Sequence, residues 1–115
     1  MATGKAIEIA RDYFAAWTSK NVDKATEYLT ENVEIIAPNG TFTGHQGYHA
    51  YMDGFVTMLT GVSGLTVYGD DTTALSWFDT HLHPVPTLTG AERITLTDGK
   101  ISRLEVVFDQ TPLAG

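Results

Sequence analysis

The sequence predicts an α+β fold, and three observations carry that reading. Up to about residue 60, apolar side chains recur mostly at helical spacing, in three stretches. From Leu65 onward the chain turns to runs of β-branched and aromatic residues with alternating polarity. Between the last two runs stands Asp98-Gly99, a strong short-range hairpin signal. Helices first and hairpins afterwards place the helices on one face of a mostly antiparallel sheet.

The first helix is expected over 4–19. Ile7, Ala10, Phe14 and Trp17 follow an i, i+3, i+7, i+10 stripe, with Ala6 and Tyr13 beside it. Ser19-Lys20-Asn21 breaks it, and Asn21 can cap a second helix over 22–30 that turns Val22, Ala25, Leu29 and Tyr28 inward. Val33–Ala37 reads as a short strand stopped by the turn sequence Pro38-Asn39-Gly40, and Thr41–Thr43 as its small partner. A third helix over 45–60 buries Tyr48, Tyr51, Met52, Phe55, Val56 and Leu59. Gly61 and Gly64 are expected to bound a loop. Strands follow at Leu65–Tyr68, Thr73–His81, Thr87–Thr97 and Lys100–Asp109, turned by Asp70-Asp71, by His83-Pro84-Val85-Pro86 and by Asp98-Gly99. A long twisted sheet of this kind curls around the helices and leaves a cavity between the two layers.

The 115 residues carry no internal repeat or linker, so residues 1–115 read as one domain. A net charge of −7 disfavours nucleic acid as a partner, because like charges repel along a phosphate backbone. The absence of cysteine removes disulfides, thiolate metal sites and a cysteine nucleophile, and fits a cytoplasmic protein. No apolar run approaches the ~20 residues a membrane span needs. The start Met-Ala-Thr-Gly-Lys has no apolar core of a signal peptide.

The chemistry concentrates on the later strands. Alternation puts Glu92 on the same face as Ile94 and Leu96, a carboxyl on an otherwise apolar surface. Leu104, Val106 and Phe108 share a face on the following strand. Asp79 and His81 share a face with Leu75 and Trp77, a spacing that suits a base and its orienting carboxylate. Tyr13 lies near Phe14 and Trp17 on the first helix and can serve as a pocket donor. Trp17, Phe55, Trp77, Leu104 and Phe108 are candidate ligand-binding residues. His81 with His83, or His45 with His49, offers two imidazoles at a ligating spacing. Without a third ligand at a suitable spacing, no metal is assigned. Phosphate-loop and nucleophile-elbow motifs are missing.

Tyr13-Phe-Ala-Ala-Trp17, then Asn21 through Leu29, then Glu31 through Pro38, then Gly40-Thr-Phe-Thr-Gly44 ahead of a helix, and the closing hairpin at Asp98–Ile101 together resemble the nuclear transport factor 2-like superfamily. Within it the chain is most similar to the SnoaL-like polyketide cyclases, with ketosteroid isomerase further off. The resemblance covers about residues 4–110. It implies a cone: a curved sheet wrapped round three helices, with a deep apolar pocket and, in many members, a homodimer through the open sheet face. Set beside ketosteroid isomerase, Tyr13 falls at the oxyanion-hole tyrosine and Glu92 at the aspartic acid kept protonated in that enzyme. Its general base falls on Ala37, which cannot take a proton, so isomerisation by that route is not expected. The SnoaL-like cyclases place a His and an Asp on the later strands, the region of Trp77, Asp79, His81 and Glu92 here.

The expected function is therefore a small-molecule pocket protein. One form is a cofactor-independent enzyme using Glu92, Asp79, His81 and Tyr13 for acid–base chemistry on an apolar carbonyl-bearing or cyclic molecule. The other is a non-catalytic module that binds a ligand, dimerises or holds a protein partner. A homodimer is expected, and neither nucleic acid nor membrane is expected as a partner.

Overall fold

The computed structural model describes residues 4–84 and 87–108. Helix α1 (Lys5–Thr18) buries Ala6, Ala10, Tyr13, Phe14, Ala16 and Trp17 on one face. Its first turn is satisfied from far along the chain. The backbone N–H groups of Gly4 and Lys5 both donate to Asp71 Oδ1 at 3.0 Å, so a carboxylate sits at the positive end of the helix. Helix α2 (Val22–Thr26) is capped as its sequence predicts, Asn21 Oδ1 accepting from Lys24 N–H at 3.0 Å.

Six strands form one sheet: β1 (Leu29–Ala37), β2 (Gly40–Thr43), β3 (Leu59–Gly69), β4 (Thr73–Leu82), β5 (Leu88–Thr97) and β6 (Lys100–Phe108). Helix α3 (Gly44–Met58) lies between β2 and β3 in the chain. The strand order is β2-β1-β6-β5-β4-β3. Among the described residues only the β1–β6 pair is parallel: the chain crosses through α3 to the far edge at β3 and meanders back through β4 and β5, so that β6 lies beside β1. The other neighbours are antiparallel. The sheet is curved and unclosed. Helix α1 packs across β3, β4 and β5, and α3 across β1 and β2.

Four expectations change. Leu29 is buried, but as the first residue of β1 rather than in a helix. It pairs with Ile101 of β6, whose N–H donates to Tyr28 O at 2.7 Å. This long-range pairing outweighs the local helical pattern. Gly61 and Gly64 lie inside β3, not in a loop, with Gly61 opposite His81. The ladder shifts between Ser63 and Thr66, and Gly64 there takes φ +68, a bulge that a side chain would strain. Strict alternation from Val107 along the last strand would turn Ile101 outward, yet it is fully buried. A register shift between Thr95 and Leu96 puts an extra residue on β6, so Ile101 and Leu104 both point inward. The third helix ends at Met58, and Leu59 opens β3.

The closing hairpin forms as the sequence predicts, with Asp98 at φ 51 and Gly99 at φ 80, the two left-handed residues of a type I′ turn. Val85 and Pro86 of the expected turn, Asp109 of the last expected strand, and the first three residues lie outside the described residues. Among the described residues no helix is long and apolar enough to cross a membrane.

Candidate functional site

Alternation along β5 turns Leu88, Gly90, Glu92 and Ile94 toward the helices. On α1, Tyr13 and Trp17 stand one turn apart and face the sheet. Along α3, Tyr48, Tyr51, Met52 and Phe55 follow the i, i+3, i+4, i+7 stripe. Most of these side chains, with Phe78, Thr80 and Leu82 of β4 and Val106 and Phe108 of β6, line a cavity of about 260 Å³ that is partly open to solvent. Asn39 in the β1–β2 turn and Met58 complete the lining; Tyr48 stands just behind it. The backbone is closely approached at Gly90, where a Cβ would meet Val107 O at 3.2 Å and Phe78 at 3.6 Å.

Six aromatic side chains, Tyr13, Trp17, Tyr51, Phe55, Phe78 and Phe108, stand in the wall, and Phe14 packs behind it. Phe14 lies 4.9 Å from Phe78 and 5.2 Å from Trp17, and Trp17 lies 5.9 Å from Phe55, all tilted or edge-on. The polar groups are few. Thr80 Oγ1 is already engaged, donating to Leu88 O at 3.0 Å. The hydroxyl of Tyr48 donates to that of Tyr13 at 2.9 Å, in the buried interior. One lone pair of Tyr13 is thus occupied, and its own proton is left to point elsewhere. Burial holds the hydroxyls of Tyr13, Tyr48 and Tyr51 far above the ordinary tyrosine value, and the nearby Glu92 charge pushes in the same direction. All three remain proton donors over any physiological pH.

Glu92 is only 5 % exposed. Its Oε1 has no hydrogen-bond partner among the described residues. Burial, with no hydrogen bond or cation to offset it, pushes its carboxyl up to about 8. Ser76 pairs with Glu92 across the β4–β5 ladder, and its buried Oγ is also without a partner among the described residues, although it does not line the cavity. A buried polar group normally finds a partner, so the unengaged Glu92 carboxyl, which lines the cavity, is left available to a ligand.

The structure separates the residues that the sequence grouped together. Tyr13, Trp17, Phe55, Glu92 and Phe108 line the cavity. Leu104 is fully buried in the core and does not reach it. Asp79, His81 and Trp77 lie on the opposite face of the sheet. On β4 the inward residues are Ala74, Ser76, Phe78 and Thr80, all buried, while Leu75 is 55 % and Trp77 56 % exposed. Asp79 accepts from Thr89 Oγ1 at 2.5 Å. His81 bonds Ser63 Oγ at 2.7 Å and Thr87 Oγ1 at 3.1 Å. The expectation of an Asp79–His81 acid–base pair in the pocket is thereby corrected, since the parity of β4 is set by Phe78 rather than by Trp77. Two other histidines are engaged elsewhere: His49 between Asp23 and Asp53, and His45 against Leu29 O. Among the described residues, no three His, Cys, Asp or Glu side chains come together in a way that could hold a metal.

Sequence reasoning placed Tyr48 and Tyr51 in the core without assigning them to a site, and it missed Asn39 and Ser76. The helical stripe held the signal for the tyrosines, since two hydroxyls on one buried face need partners.

The profile of the SnoaL-like domain matches residues 10–104. The chain belongs to the SnoaL-like domain family. Its fold is correspondingly that of the nuclear transport factor 2-like proteins. A protein from Kribbella flavida DSM 17836 is 36 % identical, with 96 % of this chain and 92 % of that chain aligned at a TM-score of 0.90. A candidate ketosteroid isomerase from the same organism is 19 % identical, covering 93 % and 79 % at a TM-score of 0.81. A candidate polyketide cyclase from Xanthomonas campestris pv. campestris is 14 % identical, covering 95 % and 93 % at 0.82. The last two establish shared fold, and a fold of this kind hosts more than one chemistry. Among curated proteins, none matches this SnoaL-like sequence significantly.

Proposed function

We propose that this SnoaL-like protein is a cofactor-independent acid–base enzyme of the isomerase, cyclase or dehydratase type, acting on an apolar carbonyl-bearing or cyclic molecule. The observation that carries this reading is the unpartnered Glu92 carboxyl, buried in an aromatic cavity that Tyr13 also lines. In the isomerase form, Glu92 as carboxylate takes a proton from the carbon next to the substrate carbonyl. The Tyr13 hydroxyl donates to the oxygen on which negative charge develops, and Tyr48 holds that hydroxyl in place. Glu92, now the acid, returns the proton to a different carbon. Atoms and charge balance without a further reactant. A carboxyl pushed up to about 8 is a stronger base than an ordinary glutamate and still reprotonates near neutrality.

The test needs no native substrate. Exchange of the α-hydrogens of tetralone for deuterium, followed by NMR, reads the first half of the reaction. It should exceed the buffer rate, rise with pH to about 8 and level off, and fall by about 100-fold or more in Glu92→Gln. Exchange no faster than in buffer, or unchanged by the substitution, would sink the enzyme reading.

A second reading has its own support. Ala37 stands where the ketosteroid isomerase resemblance puts a base, and among the described residues Glu92 is the only carboxyl lining the cavity. A non-catalytic ligand-binding module of the same fold agrees with both facts. Binding of tetralone without exchange would favour it.

The homodimer is also a proposal. The outer face of the sheet places Thr66, Trp77, Ala91 and Val107 in one cross-strand row and Tyr68, Leu75, Arg93 and Glu105 in the next. Tyr68, Leu75, Trp77 and Val107 are each more than half exposed. An apolar patch of that kind supports self-association through this face.

A further inference from the structure

The acid–base reading leaves the size and charge of the ligand open, and the cavity limits both. We propose that the cavity takes an uncharged one- or two-ring carbonyl compound of roughly ten non-hydrogen atoms and excludes four-ring ligands. The inference rests on the reading of this cavity as a ligand site and adds the ligand class to it.

Volume comes first. A dry protein cavity of about 150 Å³ holds one benzene ring, six carbon atoms. The 260 Å³ here is therefore room for roughly ten atoms, two fused rings with a carbonyl oxygen. A steroid or tetracyclic polyketide has about twice that number. Much of the wall on the α1 and β4 side cannot retreat to admit one. Phe14, Trp17 and Phe78 are at most 7 % exposed and are locked edge-to-face, with Phe14 and Phe78 centroids 4.9 Å apart and Trp17 and Phe78 centroids 6.0 Å apart. Interiors packed like this resist expansion. The adaptable residues are Met52 and Met58, whose unbranched side chains let the cavity shape itself to a ring but do not double its volume.

Charge comes second. Among the described residues the lining holds no Lys, Arg or His. An anion entering it would lose its hydration with nothing to replace it, and the net charge of −7 opposes its approach. A cation would have to ionise Glu92, which is neutral at pH 7 because burial pushes it up to about 8. A carbonyl oxygen needs neither adjustment. It accepts from the Tyr13 hydroxyl or from the protonated Glu92 carboxyl, whose Oε1 is unpartnered.

Isothermal titration calorimetry of the whole chain at pH 7 tests this with four probes. Tetralone is neutral and bicyclic. Naphthoate and aminotetralin match its size with a negative and a positive charge. Progesterone is a neutral four-ring enone. Tetralone is expected to bind at least about tenfold more tightly than each of the other three. Tyr13→Phe is expected to weaken tetralone by about fivefold, the loss of one hydrogen bond. Progesterone binding as tightly as tetralone overturns the size limit and leaves the ligand-site reading standing. Either charged probe binding as tightly overturns the charge limit. Tetralone binding unaffected by Tyr13→Phe and by Glu92→Leu alike places it outside the cavity and overturns the inference. Binding of none of the four removes the ligand-site reading together with the inference.

Discussion

The Tyr48 hydroxyl donates to the Tyr13 hydroxyl at 2.9 Å, joining α3 to α1 behind the cavity wall. Only Tyr13 of the pair lines the cavity. Tyr48 therefore acts through Tyr13, fixing the ring and leaving the Tyr13 proton for a ligand oxygen. Tyr48→Phe is expected to cost about 1 kcal/mol of stability and to weaken tetralone binding by less than Tyr13→Phe does. Calorimetric titration of both variants, with thermal unfolding as the control, checks the order. Equal losses in binding would show that Tyr48 touches the ligand itself.

Glu92 should leave a mark on stability. Its carboxyl is raised from about 4.5 to about 8 by burial. Between those values the folded protein holds a proton that the unfolded chain has lost. The contribution of this group is fully present below about 4.5 and declines as pH rises, until it is gone above about 8. The full swing is on the order of a few kcal/mol. In Glu92→Gln this decline should vanish, leaving the variant more stable than the parent at pH 9. Urea titrations at pH 5, 7 and 9 measure it, and parallel pH profiles for the two proteins would contradict the assignment.

Asp79→Asn and His81→Gln should change tetralone binding and α-hydrogen exchange by less than about twofold, because both side chains sit on the outer sheet face with Ser63, Thr87 and Thr89. A loss of tenfold or more in either assay would show that the outer face takes part in the chemistry.

Trp77 is 56 % exposed in the middle of the outer apolar rows. Trp77→Arg is expected to convert a dimer to a monomer at micromolar concentration while keeping the thermal transition within a few degrees. Sedimentation velocity reads the state directly. A parent protein that is already monomeric would withdraw the dimer.

Removing the long-range cap by Asp71→Ala should lower stability above about pH 4. There the carboxylate, held below its usual range by the Lys5 and Gly4 N–H groups, is charged. The difference between variant and parent should shrink as pH falls through the folded-state value. A difference independent of pH would assign the effect to something other than the charge.

Taken alone, the sequence determined the order and most of the bounds of the elements, because helical stripes, alternation and turn residues are local properties. Asn21 as a cap and Asp98-Gly99 as a left-handed turn are decided within four residues. Glu92 was legible as a carboxyl on an apolar face, since the alternation of β5 is uninterrupted from Leu88 to Ile94. Which face of β4 looks inward was not legible. Ala74, Ser76, Phe78 and Thr80 alternate with Leu75, Trp77, Asp79 and His81, and both series mix apolar and polar residues. Only packing against α1, where Phe78 meets Phe14, decides between them. The same holds for the bulge in the β5–β6 hairpin that turns Ile101 inward, and for the start of β1 at Leu29, which is fixed by pairing with β6 far along the chain. The meeting of Tyr13 with Tyr48 and the cavity beside Glu92 required the tertiary structure, because three elements separated by tens of residues must converge before a buried carboxyl acquires surroundings.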